Sequence, residues 1–389
     1  MHEKVASYLC IRFPVLARTR LGALSIAKNS PAQTAARRGK HQAIRIGFVG
    51  LTDCAPLVMA RELGLFERHG LDVELSRELG WATVRAKVTH GELDAAHAPA
   101  GMLVAAVAGL GGVSAECLTG IVLNLHGNAI TLSQRLWNAG VRDGGTLRDF
   151  VRRRRRPVTF GTVYQWSSHS VLLRLWLKRN GLDIESDARV VVVPPSQMVT
   201  HLRAGHLDGF CAGEPWNSQA VMSRAGWVVA RSAELAPLHP EKVLMVRGDF
   251  AERHDDQHAA LIAAILESAR FCDDPANRGT VAETLARPGC VGADAAAIQQ
   301  SMRGVYDFGN GRIEPCQGFN IFARENASEP DERKAVWVAQ SLVSSGLATA
   351  AEVPLERCVK AFRPDIFARG LALARPAAPA TAGIISTAA

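Results

Sequence analysis

Several features are missing from this 389-residue sequence, and each absence closes a class of function. None of its eight cysteines forms a Cys-x-x-Cys pair, so the usual zinc and redox spacings are absent. No run of 18 or more apolar residues appears, which argues against a membrane span. There is no Gly-x-Ser-x-Gly elbow, no phosphate-cradling Walker loop and no metal-ligand spacing, so nothing points to an enzyme. Basic excess is also missing from most of the chain. Residues 1–43 hold eight Lys or Arg against Glu3 alone, +7 of the formal +8, leaving +1 for residues 44–389. A nucleic-acid binder carries its basic charge on the folded surface, so direct nucleic-acid binding is not expected.

What is present describes a folded α/β protein. Hydrophobic content is 48% and charged content 21%, ordinary for a globular chain long enough for two domains. In residues 1–43, Arg12, Arg18 and Arg20 interrupt every apolar run that could serve as a secretion signal. We expect this segment to be a disordered basic extension, with a targeting peptide as the alternative. Cys54, Cys117 and Cys211 sit among apolar residues and read as buried packing groups. Free thiols without an export signal favour a reducing compartment, so a cytoplasmic location is expected and a periplasmic one is the alternative.

Ordered structure is expected from Ala43–Gly50, a short apolar, β-branched stretch that reads as a buried strand. Thr52 and Asp53 can cap the apolar-periodic helix that follows to about Arg68, and Gly70 stops it. Strand and helix then alternate, the pattern of an α/β sheet rich in parallel strands. The alternation repeats itself. Ile46-Gly47 matches Phe160-Gly161, Gly70-Leu-Asp-Val-Glu74 matches Gly181-Leu-Asp-Ile-Glu185, and Gly91-Glu-Leu-Asp-Ala95 matches Gly205-His-Leu-Asp-Gly209, at offsets near 114, 111 and 114 residues. The repeat predicts two similar lobes: lobe I from 44–129 plus 243–350 and lobe II from 130–242, with 351–389 a C-terminal segment and disordered tail. Helical periodicity dominates from Asp249 to Leu347, and the stretch 237–243 reads as the crossing back to lobe I.

Ligands of open α/β sheets bind beyond the carboxyl ends of the strands, which in a two-lobed protein face an interlobe cleft. Three strand-to-helix junctions would meet there: Gly50–Asp53, Tyr164–His169 and Cys211–Trp216. Helix N-termini offer free N–H groups to an anion. Trp81, Trp166, His169, Trp216 and Lys242 lie beside these junctions. Taken singly, each tryptophan is most simply packing, His169 a cap partner and Lys242 a solvated loop residue. Glu214, followed by proline at a helix start, reads as structural, and Arg152–Arg156 as a solvated helix end or a docking surface for an acidic partner.

Five stretches together carry a resemblance: Leu51–Leu57 (LTDCAPL), Val193–Val199 (VPPSQMV), Phe210–Trp216 (FCAGEPW), His239–Lys242 (HPEK) and Tyr306–Gly311 (YDFGNG). Over residues 44–345 the chain resembles the nitrate- and bicarbonate-binding proteins of ABC uptake systems, and their soluble NasS-type nitrate/nitrite sensor relatives. The resemblance implies a type II periplasmic-binding-protein fold with a hinge and an interlobe cleft, no cofactor, and a site made of a Trp, an amide side chain, a His, a backbone Gly and a Lys. Carried over singly, these fall on Trp81, Asn128 (where the family pattern is the longer Gln), His169, Gly213 and Lys242. No acid stands at those five positions, so a donor-only site for nitrate or nitrite is expected over one for bicarbonate. In the sensor layout the partner is an RNA-binding antiterminator; in the importer layout it is the transporter permease.

Overall fold

The structure, a computed structural model, describes residues 43–376. The expected basic extension and the Ala/Pro/Thr-rich tail lie outside the described residues. The chain runs through β1 (Ile44–Val49), β2 (Val73–Glu78), β3 (Ala95–Pro99), β4 (Cys117–Leu118) and β5 (Val122–His126). It then forms β6 (Asn128–Ser133), β7 (Val158–Thr162), β8 (Ala188–Val192), β9 (Gly209–Gly213) and β10 (Gly226–Arg231), returns as β11 (Pro240–Arg247), and adds β12 (Val305–Gly309), β13 (Arg312–Pro315) and β14 (Asn320–Ile321).

Among the described residues two large sheets form, in the orders β14-β5-β11-β3-β1-β2 and β10-β6-β9-β7-β8, with β4 also paired to β11, and β12 and β13 pair separately. Each has a parallel trio (β2-β1-β3 and β8-β7-β9) continued by an antiparallel strand that arrives from the other lobe, β11 in one and β6 in the other. The internal repeat therefore reaches the level of register. Ile46 faces Ala95 as Phe160 faces Gly209, an offset of 114 residues for both partners. The Asp94 carboxylate accepts from the Arg45 amide at 2.9 Å, and Asp208 does the same for Thr159 at 2.8 Å. Gly91 and Gly205 precede these aspartates in the left-handed region, at φ +80° and +73°.

The chain changes lobe at Gly127 and again between Arg231 and Pro240. Gly127 has φ +92°, and a Cβ there would lie 2.1 Å from Asn320 Oδ1, so both conformation and space demand glycine. The C-terminal part belongs to the first lobe. Helix Pro364–Leu373 packs on helix Asp255–Asp273, with Ile366 and Phe367 buried.

Residues 249–347 are not helical throughout. β12 and β13 form a hairpin turned by Asn310 (φ +51°) and Gly311 (φ +85°), the residue pair that tight hairpins favour. Tyr306, Phe308 and Phe319 bury themselves with Ala129, Val221 and Val228, so the hairpin lies on the second lobe. The main hydrophobic core is continuous between lobes, holding Phe48, Leu51 and Leu103 together with Val163, Phe210 and Trp216. The lobes are thus closed on one another.

Candidate functional site

The carboxyl ends of the strands converge on a fully buried polar cluster. The turn after β1 carries Thr52 and Asp53, β3 carries His97, and β11 contributes Glu241 and Lys242. From the other lobe come Asn128 at the start of β6, Gly213 at the end of β9, and Ser168 and His169 in the first turn of helix Ser168–Arg179. Ser167 caps that helix, accepting from the Ser170 amide, so His169 is not needed as a cap partner.

Lys242 is the centre. It is wholly buried, not solvated, and sits in a strand, not a loop. Its Nζ lies 2.7 Å from Asp53 Oδ2, 2.7 Å from Glu241 Oε1 and 5.4 Å from the Trp81 ring centroid. Burial alone would lower the lysine pKa, yet the two carboxylates raise it above its ordinary value. Burial would likewise raise both acids. Lys242 and His97 instead hold Asp53 low, and Lys242 and His169 hold Glu241 far below the usual carboxylate range. His97 Nε2–H donates to Asp53 Oδ1 at 2.8 Å.

Glu241 joins the lobes. Its Oε2 accepts from Asn128 Nδ2 at 2.5 Å and from the Ser168 hydroxyl, and lies 3.4 Å from His239 Nε2. His169 Nε2 is 3.8 Å from Glu241 Oε1. Sequence reasoning passed over Glu241, Asp53 and His97 as ligand-site members, and the expectation of an acid-free site does not hold. Two carboxylates stand inside it.

Against these filled acceptors, several buried groups have no partner: Trp81 Nε1, both ring nitrogens of His169, His97 Nδ1, Thr52 Oγ1 and Asn128 Oδ1. Buried polar groups in native proteins are nearly always satisfied, and Trp81 Nε1, Thr52 Oγ1 and one His169 nitrogen can donate. Burial pushes the His169 pKa down to about 4.

All five residues expected in the site are therefore brought together from the two lobes. A Cβ on Gly213 would stand 3.3 Å from Asn128 Oδ1 and 3.5 Å from Asp53 Oδ2, which places its backbone against the cluster. Trp166 is elsewhere. It is half-buried on the outer flank, 5.5 Å from the Arg85 guanidinium and pressed onto Gly111, where a Cβ would meet its ring at 2.0 Å. Trp216 is buried in the continuous core. Glu214 is structural: it accepts from Tyr306 Oη and from the Ser218 amide at 3.1 Å, and burial raises its pKa to about 7. Arg152–Arg156 end helix Gly144–Arg154 and are exposed. The predicted packing cysteines 54, 117 and 211 are buried and free, their thiol pKa values raised by burial.

The sequence profile described as the NMT1-like family matches residues 37–286. The chain belongs to this family. Within it, the NrtA/CmpA-like nitrate- and bicarbonate-binding proteins are its kin. The nitrate/nitrite binding protein NrtA of Synechococcus elongatus is 30% identical over 337 residues, 83% of this chain and 76% of that one. The nitrate import ATP-binding protein NrtC of a Synechocystis strain is 37% identical over 326 residues, which is 83% of this chain but 49% of the relative. The chain thus spans about half the length of that relative. The crystal structure of the periplasmic nitrate-binding protein NrtA from Synechocystis superposes with a TM-score of 0.81 at 26% identity, covering 85% of this chain and 88% of that one. The two-lobed periplasmic-binding-protein fold follows from this match and from the sheet orders. Among the described residues, no helix is long and apolar enough to cross a membrane.

Proposed function

We propose that this chain binds nitrate or nitrite in the buried interlobe site, through Trp81, Asn128, His169, Gly213 and Lys242, as the substrate-binding component of an ABC-type importer. The carrying observation is the set of unpartnered donors around one buried lysine: Trp81 Nε1, the Thr52 hydroxyl and the N–H of the His169 ring. A planar anion that accepts on every edge would satisfy them.

Charge balance adds a condition. An anion about 4 Å from Lys242 gains about 4 kcal/mol at an effective dielectric near 20, and repulsion from a carboxylate ~5–6 Å away costs about 3 kcal/mol. With two carboxylates present, the lysine alone does not hold the anion. Protonation of His169 supplies the missing charge, so binding takes up a proton and weakens as pH rises. Bicarbonate is not excluded by the lack of an acceptor, because Asn128 Oδ1 is unpartnered.

The importer role is favoured by the name of one relative, a nitrate import ATP-binding protein, beside a second named a nitrate/nitrite binding protein. A cytoplasmic sensor controlling an antiterminator has no counterpart among them. Leu79 and Val192 also suit a docking role. They are 87% and 62% exposed and follow or end the outer strands β2 and β8, one on each lobe. A permease touching both would read closure.

Isothermal titration with nitrate, nitrite, bicarbonate and sulfate tests the ligand. Micromolar nitrate or nitrite affinity, about 8 kcal/mol, that Lys242→Ala removes is the expected result. Binding of bicarbonate alone would overturn it. Cell fractionation tests the role, because a separate substrate-binding component of an importer is expected outside the cytoplasm, as the name of the periplasmic nitrate-binding protein NrtA indicates.

A further inference from the structure

We infer that Glu241 is an internal competitor of the bound anion: its carboxylate holds the same donors that the ligand would use, and so it clasps the lobes together and sets the affinity. The inference rests on the anion-site reading above, but its central geometry does not depend on which anion binds.

The carboxylate of Glu241 is itself a planar, delocalised oxyanion. It takes Lys242 Nζ at 2.7 Å on one oxygen, and Asn128 Nδ2 at 2.5 Å and the Ser168 hydroxyl on the other. Lys242 and Asn128 are two of the five residues expected to hold the ligand. His169 Nε2 faces Glu241 from the opposing helix at 3.8 Å. Glu241 and Lys242 belong to the first sheet, whereas Asn128 and Ser168 belong to the second lobe. The carboxylate therefore makes from within the chain the cross-lobe bonds that would otherwise fall to a bound anion.

Charge-assisted hydrogen bonds of this kind are about twice as strong as neutral ones. An entering anion must take Lys242 and Asn128 from Glu241, so the measured affinity is reduced by the stability of the clasp. Asp53 plays a different part. It bonds His97 and Lys242 only, all within the first lobe, and holds the lysine in place without joining the lobes.

Two measurements on the full-length protein test this. The first is small-angle X-ray scattering without added nitrate or nitrite. The wild type should stay compact, and Glu241→Gln, which keeps the shape but loses the charge, should show an enlarged radius of gyration. The second is nitrate titration, in which Glu241→Gln should bind about tenfold or more tightly than wild type, about 1.4 kcal/mol or more. A merely structural glutamate would give the opposite sign. Ser168→Ala, which removes one cross-lobe bond and no charge, should move both readings the same way by a few-fold less, and it decides the matter if Glu241→Gln does not fold. A folded Glu241→Gln that is as compact as wild type, or that binds nitrate more weakly, overturns the inference. If the wild type binds neither nitrate nor nitrite, the functional reading fails, while the scattering comparison still judges the clasp.

Discussion

The two lobes share a framework but not its charges. Lys242 pairs with Pro99 across β11 and β3, and Asn128 pairs with Gly213 across β6 and β9; Pro99 and Gly213 are 114 residues apart. Lys242 and Asn128 therefore occupy equivalent positions in the two sheets. By the same offset His97 corresponds to Cys211, and Asp53 to Ser167. The first lobe has lysine, histidine and aspartate where the second has asparagine, cysteine and serine. A duplicated scaffold has been loaded on one side only. The charged network stays assembled on the first lobe, and the moving face brings mainly neutral hydrogen-bonding groups to it.

The largest effect should come from breaking that asymmetry at its centre. Lys242→Ala leaves Asp53 and Glu241 buried without their cation, which should destabilise the fold by about 3–5 kcal/mol and abolish anion binding. The equivalent change in the second lobe, Asn128→Ala, removes a neutral donor and should cost about 1–3 kcal/mol. Urea unfolding and calorimetric titration of the two variants side by side measure the difference. Equal losses would mean that the one-sided charge has no consequence.

Proton dependence comes next. Burial depresses His169 to about 4 in the folded chain, against an unfolded value near 6.5. The unfolded state thus holds more protons between about pH 4 and 6.5, and the contribution of this group to stability falls as pH falls through that window, by up to about 3 kcal/mol. His126 and His258, also lowered to about 4 mainly by burial, act in the same direction. Anion affinity should run the other way, rising as pH falls, because a bound negative charge favours the protonated ring. Titration between pH 5.5 and 8.5 checks this. His169→Gln should flatten the profile, and a wild-type profile that is already flat would contradict the role given to His169.

Smaller effects sharpen the comparison at its margins. Tyr306→Phe removes a hydrogen bond to Glu214 and loosens the hairpin from the second lobe, an expected loss of about 1–2 kcal/mol in thermal unfolding. Gly213→Ala adds a methyl 3.3 Å from both Asn128 Oδ1 and a Leu51 methyl. A few-fold loss of affinity with little change in stability is expected from titration.

The repeat was legible because it is written in local signals: a glycine where a helix stops, an aspartate that folds back on the next strand, apolar runs at a constant offset. The hairpin at Asn310-Gly311 carried an equally local signal and was masked by the helical pattern on either side. The role of Glu241 had no such signal. Neighbours on a regular strand point to opposite faces, so Glu241 and Lys242 would not be expected to meet. Here the register between β11 and β5 slips at Pro240/Lys242 and again at Lys242/Val243. Such irregularities re-aim side chains, and these two converge. Against β3, β11 keeps regular register from Lys242 onward, so the irregularity lies on its β5 side. Asp53 and Lys242 are 189 positions apart in sequence and meet only through the return of the chain from the second lobe.

The crossing at Gly127 immediately precedes Asn128 of the buried cluster, whereas exposed Leu79 follows and Val192 ends the edge strands β2 and β8. If the lobes open about that crossing, the cluster lies on the inner side of the motion and those two residues on the outer side. A small adjustment among Asn128, Glu241 and Lys242 would then be enlarged at the edge strands. The anion proposed for this cluster would in this way be announced across the width of the protein.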